Sequence, residues 1–160
     1  MKRIILIFSL ISFLLCGCQL FSKGNREPVL FYYRQAEYNL GEPDGSIAVE
    51  ERDGTGHITD MDYLLRLYLA GPLSEDLSSP FPSDVQLTNI RVGKNIVTIT
   101  LSGSPDTLSE TEKILACACL TLTSLEISDK GSIMICWGED IITMNRSSLT
   151  LSDESASMSN

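Results

Sequence analysis

The 160-residue chain holds 12 basic and 21 acidic residues, for a formal net charge of −9 at pH 7. That balance excludes functions that need clustered Lys and Arg on phosphates, so no nucleic-acid partner is expected. With a single histidine, no zinc-ligand spacing and no phosphate-binding glycine loop, neither a metal nor a cofactor is expected.

The N-terminus reads as an export signal. Lys2 and Arg3 follow Met1, and Ile4 to Leu15 is apolar apart from Ser9 and Ser12. This run is shorter than the ~20 residues a membrane-crossing helix needs. It ends in Leu15-Cys16-Gly17-Cys18, which resembles the lipobox of bacterial lipoproteins. The resemblance implies cleavage between Gly17 and Cys18 and a diacylglycerol on the Cys18 sulfur. The competing reading is an ordinary secretory signal that happens to contain Cys. Residues 1–17 are then a leader, and 18–28 a lipidated cysteine and flexible tether. The acidic remainder offers no basic patch for anionic lipid, so attachment to the extracytoplasmic face of the cell membrane rests on the acyl chains.

From Val29 the apolar pattern begins. Val29 to Tyr33 predicts a strand, Gly41 to Gly45 a turn, and Ser46 to Arg52 a second strand before the turn Asp53-Gly54-Thr55-Gly56. Thr59 or Asp60 caps a helix whose stripe is Met61, Leu64, Leu65, Tyr68 and Leu69. Gly71-Pro72 stops it, and Ser74 to Ser83 is a loop. Alternation then places Val85, Leu87, Asn89 and Arg91 on one face of a strand. Gly93-Lys94-Asn95 turns the chain into Ile96 to Leu101, a hairpin.

Ser109 and Glu112 have capping-box spacing and open a helix from Glu110 to about Leu125. Leu115, Ala118, Cys119 and Leu122 form its best stripe, widened by Ile114, Thr121 and Leu125, and Ala116 to Cys119 are small enough for close approach to a sheet. Ser132 to Trp137 is a strand apolar on both faces. A weaker strand falls within Ile141 to Leu151, and residues 152–160 form a Ser-rich acidic tail expected to be disordered. The folded domain is therefore expected over 29–151. Two helices on one face of a mixed sheet of four to five strands is the expected α+β fold.

Three segments in order carry a family resemblance: Leu64 to Pro72 (Leu-Leu-Arg-Leu-Tyr-Leu-Ala-Gly-Pro), Thr98 to Ser102 (Thr-Ile-Thr-Leu-Ser) and Leu120 to Ile127 (Leu-Thr-Leu-Thr-Ser-Leu-Glu-Ile). Together they resemble the GerMN domain of sporulation and spore germination proteins, over roughly Val29 to Trp137. Thr100 stands where that family's strand usually has Asp. The resemblance implies a small domain similar to ring-building modules, a role in envelope or spore assembly, and no known catalysis. Its partner would be another envelope or sporulation protein, met through a strand edge. The alternative is binding of peptidoglycan or other carbohydrate, for which Tyr32, Tyr33, Tyr38 and Trp137 are the available aromatic surface.

No catalytic set is evident. His57 lies in a turn near Asp60 and Asp62, but no Gly-x-Ser-x-Gly occurs. Glu50 and Glu51, or Glu139 and Asp140, are adjacent acids, and neighbours on a strand point to opposite faces. Asp60, Asp62, Asp106 and Glu110 suit helix starts. Cys117, Cys119 and Cys136 read as core thiols. A bridge from Cys136 to Cys117 or Cys119 stays open, and Trp137 reads as core in preference to a contact residue.

Overall fold

The computed structural model describes residues 26–37 and 47–149. Gly17, Cys18, Tyr38, the Gly41–Gly45 turn and the tail lie outside the described residues. The elements are β1 (Pro28–Gln35), β2 (Ile47–Asp53), α1 (Met61–Leu69), β3 (Leu77–Ser78), β4 (Leu87–Val92), β5 (Ile96–Leu101), α2 (Glu110–Ile127), β6 (Ser132–Trp137) and β7 (Asp140–Asn145). Short 3-10 turns sit at Pro105–Thr107 and Arg146–Leu149. Among the described residues no helix is long and apolar enough to cross a membrane.

This is a small α+β domain with two helices, as expected. The strands, however, divide between two sheets, where a single sheet was predicted. One is antiparallel, in the order β2-β1-β3; the other is mixed, in the order β4-β5-β6-β7, with β5 and β6 parallel. The reason lies at the free edge of β1. Strand β3 reaches only Arg34 and Gln35. Beside Tyr32 stands α2, and the Tyr32 amide donates to the Thr123 hydroxyl at 2.9 Å. A helix side chain takes the bond that a further strand would take, so the first sheet ends there.

The helix ends follow local chemistry. The Asp60 carboxylate accepts the Tyr63 amide at 3.1 Å, and Gly71, at φ +98°, reverses the chain after α1. At α2 the Ser109 amide donates to Glu112 at 2.9 Å, and the Glu112 amide to Ser109 Oγ at 3.3 Å.

Three expectations need correction. The α2 stripe is wider than predicted: Ala116 through Thr121 are all buried, with Thr123 and Ser124, while Leu115 and Leu122 are only half-buried. The helix is wedged between β1 and the second sheet, so it has two covered faces where an amphipathic stripe assumes one. In β4 a bulge between Leu87 and Asn89 breaks the alternation. Leu87 and Ile90 therefore share the inner face with Leu101 and Ile99, and Asn89 and Arg91 turn outward. Finally, the Ser74–Ser83 loop contains β3 and supplies Phe81 to the core, where its ring lies 5.3 Å from Trp137 and 6.3 Å from Tyr68.

The core lies between the sheets. Tyr33 stacks on Tyr68 at 4.9 Å and donates its hydroxyl to the Tyr68 carbonyl at 2.9 Å. Val97, Ile99, Ile133, Ile135 and Trp137 close it from the second sheet.

Candidate interaction site

The polar residues singled out above are mostly occupied in holding the fold. His57 is exposed and stacks on Tyr63 with centroids 4.0 Å apart. Asp60 caps α1, and Asp62 accepts Arg66 Nε at 2.7 Å, so these bonds serve the helix and not the imidazole. Asp140 accepts Lys113 Nζ at 2.8 Å and Glu110 accepts it at 2.9 Å. The hydrogen bonds to Asp140 and Glu110 raise the lysine further above its ordinary range, fixing it as a cation that ties α2 to β7. Asp106 accepts the Ser104 hydroxyl at 2.7 Å.

Cys117, Cys119 and Cys136 are free thiols, and the bridge left open by the sequence is not formed. Cys136 lies on the face of β6 opposite Ile135 and Trp137, and those two point inward with α2. Burial pushes Cys117 and Cys119 up to about 12, which leaves negligible thiolate for nucleophilic work. Of the aromatic residues suggested for carbohydrate, the three described ones form no exposed platform. Tyr33 and Trp137 are fully buried, and half-buried Tyr32 directs its hydroxyl at Glu126.

A different constellation was missed. Glu50 and Arg52, two apart on β2, share its inner face. Arg52 Nε bonds Glu50 Oε1, and the two side chains are only 7% and 11% exposed, Arg52 first. The guanidinium lies 5.2 Å from the centre of the Phe31 ring, a cation–π contact. Its Nη2 donates to the Gly71 carbonyl at 2.6 Å. Glu50 Oε2 accepts the backbone amides of both Leu73 and Ser74 at 2.9 Å. Burial works to raise the Glu50 carboxyl, but the Ser74 amide, Arg52 and the Leu73 amide outweigh it and hold it below the ordinary glutamate range.

A buried ion pair is costly to desolvate and adds geometry more than stability. Here it fixes the loop Gly71 to Ser74 at both ends. Between those ends the Leu73 side chain is 80% exposed, the most exposed of the large apolar side chains among the described residues. Two sequence signals pointed this way: opposite charges at i and i+2 on a strand, and a leucine directly after Gly-Pro.

A family model described as Germane, sporulation and spore germination, matches residues 31–135. The chain belongs to the Germane family. The match runs from Phe31 in β1 to Ile135 in β6, so both helices, the Glu50–Arg52 pair and the Leu73 loop fall inside the Germane region. Similar solved structures include two of related description. One is described as "Putative Lipoprotein from Clostridium perfringens", with 17% identity, 76% of this chain and 89% of that chain covered, and a TM-score of 0.46. The other holds the tandem GerMN domains of the sporulation protein GerM from Bacillus subtilis, with 16% identity, 72% of this chain covered and a TM-score of 0.47. The match takes in 40% of that tandem chain. No curated protein matches the chain.

Proposed function

We propose that this Germane-family chain is a lipoprotein anchored through Cys18, which holds a non-catalytic interaction domain at the outer face of the cell membrane during sporulation or germination. The anchor is supported by the Leu15-Cys16-Gly17-Cys18 sequence behind a basic, apolar leader. The interaction role is carried by one observation: Leu73 is held outward on a loop whose backbone is fixed by the buried Glu50–Arg52 pair. A pre-ordered apolar side chain loses little conformational freedom on binding, which is the property of a contact residue. The occupation of Asp60, Asp62, Asp106, Glu110 and Asp140 in structural bonds supports the absence of catalysis.

Two measurements test this. Fractionation of cells should find the wild-type chain in membranes and the Cys18→Ala chain released or uncleaved; a Cys18→Ala chain that stays cleaved and lipidated defeats the anchor. Leu73→Asp should lower spore yield or germination as far as gene deletion does, at unchanged protein level. If deletion itself leaves both unaffected, the assignment to sporulation and germination is wrong.

A further inference from the structure

An apolar groove of about 240 Å³ opens at the start of β1, beside the turn that follows β2 and the last turn of α2. Pro28, Leu30, Ile58 and Ile127 line it, and Glu51 and Glu126 add two carboxylates. Ile58 is 41% exposed, and Leu30 and Ile127 are half-buried.

The chain enters the fold at this groove, and its entry is fixed. The Gly54 amide donates to the Glu27 carbonyl at 2.8 Å, and the Glu27 amide donates to the Thr55 hydroxyl at 3.2 Å. Gly54 permits this approach, because a β-carbon there would collide with the Val29 side chain. The segment just upstream is Gln19-Leu20-Phe21-Ser22-Lys23-Gly24-Asn25. Leu20 and Phe21 are the only large apolar residues between Cys18 and Pro28. Gly24-Asn25 is a two-residue hairpin sequence. A reversal there pairs Lys23 with Arg26 and Ser22 with Glu27, which sets Phe21 level with Pro28.

We propose that Leu20 and Phe21 fold back into this groove, so that the chain's own lead covers it. An apolar cavity of about 150 Å³ takes up a benzene ring, so the groove has room for the Phe21 ring with Leu20 at its side. Charge points to the same occupant. Glu27 and Glu51 have no salt bridge among the described residues, and the returning segment brings Lys23 and Arg26 to them. The same carboxylates disfavour an anionic lipid surface. A segment joined covalently is present at an effective concentration on the order of millimolar, where modest burial is enough. Docking leaves Gln19 alone between Cys18 and the folded body. An undocked lead from Cys18 to Pro28 spans roughly 30 Å, whereas a docked one holds the domain against the membrane in one orientation. That consequence rests on the lipid-anchor reading, and the docking itself does not.

The test places one thiol on the lead and one on the groove. The full-length chain carries Cys136→Ser, Ser22→Cys and Glu126→Cys, and is treated with a mild oxidant such as diamide. The expected product is a disulfide within one chain, read as a mobility shift on a non-reducing gel. Phe21→Ser keeps the turn and the reach of the lead but removes the ring. It should slow linkage by about tenfold or more, while Phe21→Leu should not. Ile58→Asp, on the groove wall, should slow it to the same extent. Resistance of the folded body to trypsin checks that each variant is intact. A smaller effect of Phe21→Ser or Ile58→Asp overturns the proposal, as does a product joining the Glu126→Cys thiol to a different protein. The reaction is run on whichever fraction holds the chain, so failure of the anchor shows in fractionation and failure of the docking shows in the linkage rate.

Discussion

The Tyr32 backbone amide donates to the Thr123 hydroxyl at 2.9 Å, so a helix side chain closes the edge of a sheet. The bond is part-buried, and an amide left without a partner there loses its hydration as well. Thr123→Val keeps the shape and removes the acceptor. It is expected to destabilise by about 1–3 kcal/mol, with Thr123→Ser recovering most of that. Urea unfolding of residues 19–160 measures it, as a shifted midpoint at constant slope. A loss under about 0.5 kcal/mol would mean that water satisfies the amide, contrary to the edge-closing role.

Removing one member of the Glu50–Arg52 pair leaves the other buried. Arg52→Met is expected to cost about 3 kcal/mol, at the low end for buried pairs, because Glu50 keeps the Leu73 and Ser74 amides. Combining it with Glu50→Gln should recover part of the loss, since the uncompensated charge goes. The double-mutant cycle reads this directly. A double variant weaker than the sum of the two singles would contradict a charge-pairing account.

The same carboxylate predicts acid sensitivity. Glu50 titrates below its ordinary value when folded, so the unfolded chain binds its proton more readily. Its contribution is complete well above the unfolded glutamate value of about 4.3 and is lost as pH falls through the lower, folded value. The stability gap between wild type and Glu50→Gln should therefore be widest near about pH 7 and shrink toward about pH 3. A gap that is constant over that span would show that the Glu50 charge is not what the loop uses.

Features set within four residues of each other were legible in the sequence. The Asp60 cap, the Gly71 stop and the Ser109–Glu112 box each appear where expected, because each joins near neighbours. What depends on distant partners was not. Thr121 falls on the widened stripe, but the polar Thr123 and Ser124 gave no sign of burial, since only the β1 edge and the second sheet together enclose that turn of α2. The β4 bulge reversed half of a strand without altering its composition. The Arg52–Gly71 bond spans 19 residues and draws on a backbone carbonyl that carries no sequence signal.

Thr121 makes the burial of α2 testable. Its hydroxyl and that of Ser124 are enclosed without a hydrogen-bond partner among the described residues. Thr121→Val removes a desolvated polar group at constant shape. It should leave stability unchanged or raise it by up to about 1 kcal/mol. Thermal unfolding decides, and a fall of more than about 1 kcal/mol would mean the hydroxyl has a partner, such as a buried water.

Thiol reactivity should separate the three cysteines of residues 19–160. Cys136 is half-buried on the open sheet face, whereas Cys117 and Cys119 are fully buried with thiols raised to about 12. Reaction depends on both thiolate fraction and access, and α2 denies both to its pair. A disulfide reagent near neutral pH should therefore titrate one thiol per folded chain quickly and the remaining two only with denaturant present. Cys136→Ser should remove the fast phase alone. If the fast phase survives that substitution, α2 opens toward solvent more readily than its position between β1 and the second sheet permits.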